Sequence, residues 1–230
     1  MAAAKYNRCG IAILLGLFLM GSIWSFLVGL SGNDLAWVSY LYLTEDTAIP
    51  WATGKSPVFA YLYKYGEYPG MVMAVISLFG YFLVRLGLIN RCYRKPFMVI
   101  ILTVIIGPGL VVNGLLKEYW GRPRPADLQN FGGDQQYRHF WEPCGKGCGK
   151  SFVCGHCAIA FSTCSIAAFY PIHPVVASTG LVVGLGYGVL VSAARITQGG
   201  HFPTDTIWSA VIVLSITTIL YYFVFKIPQE

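Results

Sequence analysis

The chain has 230 residues, of which 56% are hydrophobic and only 11% charged. A water-soluble domain carries about 25% charged residues, so there is too little polar surface here to cover a globule in water. The net charge of +6 is spread over segments that flank apolar runs, which is not the footprint of a nucleic-acid binder.

Five runs, Ile11–Leu30, Met71–Ile89, Phe97–Leu116, Val175–Ala194 and Thr206–Phe225, approach the roughly 20 residues that a helix needs to cross a bilayer. A sixth, Cys157–Tyr170, is shorter but carries no charge. The pattern predicts an all-α, polytopic bundle of six transmembrane helices, forming one membrane-embedded domain over residues 1–230 with the lipid bilayer as its solvent.

Lys5 and Arg8 ahead of the first run resemble the start of a signal peptide. The run is longer than such a segment and lacks an A-x-A-like site after it, so a retained helix is expected. Ser31–Pro69 reads as an outward connection rich in aromatic residues, among them Trp37, Tyr40, Tyr61, Tyr63 and Tyr65. These fit an aromatic belt at the membrane interface or a short interfacial helix. The short loop Asn90–Pro96 is dense in positive charge. Short basic loops stay inside, which places both termini in the cytoplasm and the longer loops outside. Gly121–Gly155 is the longest polar stretch and the one able to line an aqueous pocket, while Pro171 and Pro174 mark a tight inward turn.

Cys9, Cys92 and Cys164 sit in or beside apolar runs and read as packing residues. Cys144, Cys148, Cys154 and Cys157 cluster in the outward loop around His156. A zinc site is one reading of that cluster. The two pairs lie closer than in a zinc ribbon, and an outward loop in an oxidising compartment favours a disulfide. Cys144–Cys148 is the expected bridge, with no metal.

Three segments hold nearly all the polar residues at the borders of the runs: Lys117–Pro125, Cys154–His156 and Arg195–Asp205. Ionised groups at such depths are costly and invite explanation. No crossing separates Lys117 from His156, and two separate His156 from Arg195. All three segments therefore meet on one face of the membrane. Taken singly, each basic residue reads as an interfacial anchor, and Arg122, one step out of the pattern, is left with that reading. Together, Lys117, Arg124 and Arg195 form a cationic clamp suited to phosphate oxygens. Of two histidines, one can attack phosphorus and the other protonate the departing oxygen. Asp205, four residues after His201, can accept a hydrogen bond from that ring and fix its tautomer. Pro203 suits the first position of the last helix, with Asp205 in its first turn.

These segments resemble the three signature motifs of the type 2 phosphatidic acid phosphatase superfamily, K-x6-R-P, P-S-G-H and S-R-x5-H-x3-D. Lys117, Arg124 and Pro125 match the first, Gly155 and His156 half of the second, and Arg195, His201 and Asp205 the third. Val153-Cys154 stands in place of Pro-Ser, which puts a weak thiol donor at a phosphate-binding position, and Ala194 replaces the serine before Arg195. The resemblance implies a lipid phosphatase that needs no metal or other cofactor. In it His201 attacks with help from Asp205, His156 protonates the leaving group, and Lys117, Arg124, Arg195, the Gly155 amide and Cys154 hold the phosphate. A P-loop is excluded because the glycine it requires is Cys144 here.

The stretch from Trp120 to His156 is further similar to bacterial lipid A phosphatases of that superfamily. This implies a lipid A phosphate at the outer face of the inner membrane, with the site toward the periplasm. Phosphatidylglycerophosphate, phosphatidate and undecaprenyl pyrophosphate are the alternative substrates. Transfer of phosphate to a second lipid is a rival reaction, and binding or transport of a phosphate-bearing lipid is a rival without chemistry. The sequence carries no signal for the oligomeric state.

Overall fold

A computed structural model describes residues 2–29, 33–43 and 50–227. The described residues are mainly helical, with one isolated bridge between Leu128 and Gln135 and no named strand among them. Helix α1 (Ala2–Gly29) is followed by α2 (Asn33–Leu43), α3 (Pro57–Tyr65) and α4 (Tyr68–Arg85). Helix α5 (Arg94–Val104) runs on through a widened π segment, Ile105–Leu116, into a last turn, α6 (Lys117–Tyr119). A long connection leads to α7 (Gly155–Ser162), which tightens into a 3-10 helix over Thr163–Phe169. Helices α8 (Pro174–Thr197) and α9 (Pro203–Ile219) complete the bundle.

Among the described residues five segments are long and apolar enough to cross a membrane: Tyr6–Val28, Pro57–Arg85, Arg91–Tyr119, Pro174–Thr197 and Pro203–Val224. Gly155–Phe169 is apolar but shorter. Outward side chains such as Leu15, Leu19, Phe79 and Val182 are more exposed than buried, as they must be where lipid rather than protein covers the bundle.

The second span begins earlier than its apolar run suggests. Ser56 accepts a hydrogen bond from the Phe59 amide and Pro57 supplies the first helical residue. The aromatic stretch over 57–65 is thus helical, the short helix offered as one reading of it, with a turn at Gly66 and Glu67 before α4; by length and apolarity it extends the candidate span back to Pro57. Its far end comes at Arg85, because Gly87 takes a left-handed conformation (φ 75°) and leaves Leu86 and Leu88 outside the helix. Of the expected first span and connection, 30–32 and 44–49 lie outside the described residues.

The π segment has a local cause. Pro108 has no N–H to give and disrupts the regular ladder. The Asn113 side chain donates to the Pro108 carbonyl at 2.8 Å, five residues back. Beyond it, Val112 packs with Val153, Cys157, Ala158, Phe161 and Val213 in the cluster beneath the polar end of the bundle. A second cluster, including Val99, Ala168, Leu220 and Tyr221, fills the other end, where the Tyr6 hydroxyl donates to the Ile227 carbonyl.

Candidate active site

The start of α9 forms first from local rules. Pro203 occupies the first helical position, and the Asp205 carboxylate reaches back to accept from the Phe202 amide at 2.9 Å. This tethers the short turn that carries His201. The imidazole is almost fully buried, and its Nδ1 lies 2.7 Å from the Ser151 carbonyl. A carbonyl can only accept, so Nδ1 carries the proton and the Nε2 lone pair is free. Burial pushes this imidazole down to about 4, with Arg195 and Arg124 adding to the effect and Asp205 opposing it.

Asp205 stands 3.7 Å from the same Nδ1, too far for the direct hydrogen bond expected from the spacing. Its oxygens are taken by other donors: Arg122 Nη1 at 2.6 Å, the Ser151 hydroxyl at 2.6 Å and the Phe202 amide. Ser151 therefore stands between the two, with its carbonyl on His201 and its hydroxyl on Asp205. The carboxylate is still near enough to favour positive charge on the ring.

Arg122 is the main departure from the sequence reading. It is no interfacial anchor, because its side chain is wholly buried. Its guanidinium bridges Asp205 and Asp34, the latter at 2.7 Å, and also donates to the Thr204 hydroxyl and the Arg138 carbonyl. Burial raises the Asp34 carboxyl, against which Arg122 and the Thr204 hydroxyl act. The planar, five-donor fork suits such a multidentate role.

Helix α7 enters from the opposite side. A Cβ on Gly155 would come 2.7 Å from Asn113 Oδ1 and 3.5 Å from Lys117 Nζ. The N-terminus of α7 therefore lies close against those two groups. Arg195 is buried at the end of α8. Its Nη1 donates to Gln198 Oε1 at 2.5 Å, and its guanidinium carbon lies 4.7 Å from the centre of the Tyr63 ring. Among the described residues its Nε has no partner, which leaves a buried donor in want of an acceptor. Lys117 lies within electrostatic reach of Arg124, Arg195 and Glu67. His156 and His201 each lie within reach of Arg195.

The structure thus brings Lys117, Arg124, Arg195, Gly155, His156, His201 and Asp205 to one end of the bundle. It does not offer Cys154 as a thiol donor. Its sulfur is paired with Cys157 (Cα–Cα 5.3 Å) and accepts from the Cys157 amide. Cys144 and Cys148 form a second disulfide, with Cα–Cα 5.9 Å. Among the described residues no three His, Cys, Asp or Glu side chains gather as a metal-binding group. Cys164 is buried, whereas Cys9 and Cys92 are exposed on the outside of the bundle, not packed within it.

Two residues absent from the motifs complete the site. The Tyr63 ring stacks on His156 with centres 5.4 Å apart and 11° between planes. The His156 Nδ1 lies 3.3 Å from Glu67 Oε1, and its Nε2 lies 3.2 Å from the Tyr63 carbonyl. The only sequence signal for Glu67 was a lone carboxylate among aromatic residues at the border of an apolar run.

An apolar helical bundle with cations, two histidines and a carboxylate at one end defines a multi-pass membrane enzyme acting on phosphate. Residues 97–229 match the PAP2 superfamily, and the chain belongs to it as a lipid phosphatase. The Lipid A 4'-phosphatase of Francisella tularensis subsp. novicida (strain U112) is 28% identical, over 93% of this chain and 96% of its own. The Lipid A 4'-phosphatase of Rhizobium leguminosarum is 33% identical over 49% of this chain and 48% of its own. That of Rhizobium etli is 35% identical over 44% and 39% respectively, so the rhizobial alignments span less than half of those relatives. No solved structure matches significantly.

Proposed function

We infer that the protein removes a phosphate monoester from lipid A at the outer face of a bacterial inner membrane, through a phosphohistidine on His201 and without a metal. The observation that carries the chemistry is the tautomer of His201. With Nδ1 held by Ser151, the free Nε2 lies within electrostatic reach of Arg195 and Arg124, where a phosphate would be held.

Lys117, Arg124 and Arg195 bind the non-bridging oxygens, and the unpaired Arg195 Nε takes one of them. Nε2 of His201 attacks phosphorus as the P–O bond to the lipid breaks. His156 gives its proton to the departing alkoxide, so the lipid leaves as an alcohol. Water then attacks the phosphohistidine, losing a proton to His156 and restoring free Nε2 with release of inorganic phosphate. Asp205, which cannot be displaced from Arg122 and Ser151 without loss of buried hydrogen bonds, favours the charge that the His201 ring acquires in between.

All 230 residues serve one membrane-embedded domain with six crossings. Support for the sixth comes from its endpoints. Gly155 stands at the catalytic end, while Pro171 and Ile172, just past Phe169, share a cavity with Arg91 at the other. Eight α-helical residues followed by seven in a 3-10 helix together reach about 26 Å, close to the hydrocarbon thickness of about 30 Å. The basic loop at 90–96 then lies in the cytoplasm and the catalytic end in the periplasm.

Lipid A rests on the relatives, one of them aligned over nearly its whole length. Purified protein incubated with lipid A, phosphatidylglycerophosphate, phosphatidate and undecaprenyl pyrophosphate is expected to release phosphate fastest from lipid A. Turnover of another of these lipids with lipid A untouched would remove the substrate assignment and leave the reaction class standing.

A further inference from the structure

At the end of the bundle opposite the catalytic residues, a cavity of about 700 Å³ opens between the start of α5, the turn before α8 and the end of the chain. Arg91, Arg94 and Lys95 line it together with apolar residues that include Met98, Ile172 and Phe225. The three cations are exposed and have no ion-pair partner among the described residues. Every described carboxylate lies on α2, just before α4, on α6, in the connection from there to α7, or at the start of α9. All of these belong to the catalytic half of the molecule. Arg85 and Lys226 stand at the cationic end as well.

Three like charges around one cavity repel one another unless an anion sits among them. Basic residues that merely anchor a helix spread outward into the head-group layer and have no need of a concave, half-apolar surface. Here the cations share the lining of a cavity with apolar side chains. That combination of polar and apolar lining matches an amphiphile with a charged phosphate and acyl chains. We propose that this cavity binds the head group of an anionic phospholipid, at a site separate from the catalytic one and on the other face of the membrane.

The ligand chemistry is a phosphodiester anion attached to acyl chains, so phosphatidylglycerol is a suitable probe. Being a diester, it is not a substrate for a monoesterase and does not report on the catalytic site. Full-length protein in detergent is titrated with phosphatidylglycerol, with phosphatidylcholine and with soluble glycerol phosphate, reading bound lipid by native mass spectrometry. The double variant Arg94→Gln, Lys95→Gln keeps Arg91 to hold the loop's orientation, and phosphate release from a lipid monoester confirms that it is folded. The expected result is preferential retention of phosphatidylglycerol, weakened at least about tenfold in the double variant and unchanged in His201→Ala. A charge-retaining variant, Arg94→Lys, should keep most of the binding. Equal retention of the two lipids, equal binding by the double variant, or displacement by glycerol phosphate alone would overturn the proposal. None of these outcomes touches the assignment of the catalytic site.

Discussion

His156 is held between two oxygens that its own motif does not contain, one from Glu67 and one from the Tyr63 backbone. Glu67 acts by orienting the ring, so its loss should matter only when a proton must be delivered. Lipid alkoxides are poor leaving groups and need that proton; p-nitrophenolate does not. Glu67→Gln is expected to slow lipid hydrolysis by about 10–100-fold, less than the roughly 10²–10⁴-fold that the general acid itself contributes, while p-nitrophenyl phosphate turnover changes little. An equal loss on both substrates would mean that Glu67 serves only the fold. The pH profile tests His201 separately. Attack requires the neutral ring, and burial lowers that imidazole to about 4 from an ordinary 6.5. The acid limb of kcat/KM should therefore fall as pH drops through about 4 instead of near 6.5. Spacing along the chain was enough to nominate Lys117, Arg124, Arg195, His156, His201 and Asp205 as candidates, because each motif lies within a single short segment. Glu67 and Ser151 escaped, since nothing in the linear order says which backbone carbonyl or distant carboxylate a ring will face.

Between elements, Arg122 joins three parts of the chain: the start of α2 through Asp34, the loop through the Arg138 carbonyl, and the start of α9 through Thr204 and Asp205. Removing one partner of a buried ion pair leaves charges without compensation and costs about 3–5 kcal/mol. Arg122→Ala should lower stability by about that amount in reversible denaturation in detergent. Arg124→Ala, two residues on, should keep its melting temperature within a few degrees and lose phosphate release. Identical behaviour of the two would remove the distinction between them. In G-R-P-R-P the two arginines look alike, and the difference arises from partners far along the chain, Asp205 83 residues away and Asp34 88 residues away. Helix starts were far more legible. Pro203 and Pro174 both occupy first positions, because proline's fixed φ and missing N–H act locally. The early start of the second span at Pro57 was hidden by its tyrosines, which suit either a belt or a helix.

At the scale of the molecule, the proposed topology requires an even number of crossings between His156 and Arg195 to bring the motifs to one face. Hydrophobicity alone marked five full-length spans and led to a sixth being read from the shorter, uncharged run Cys157–Tyr170, whose described helix Gly155–Phe169 is apolar but short and partly 3-10. Single cysteines at the exposed Asp134 and Lys95, in a background without Cys9 and Cys92, test the topology with a membrane-impermeant thiol reagent on intact spheroplasts. Labelling is expected at 134 and not at 95; labelling at both, or only at 95, would refute it. The claim on which the rest depends is that phosphate passes through His201 Nε2. Brief incubation with ³²P-labelled lipid A followed by alkaline quench and peptide mapping reads this directly. Acid-labile, base-stable label on the peptide containing His201, absent from His201→Ala, is the predicted result. Full hydrolysis by His201→Ala, or label confined to any other residue, would contradict it.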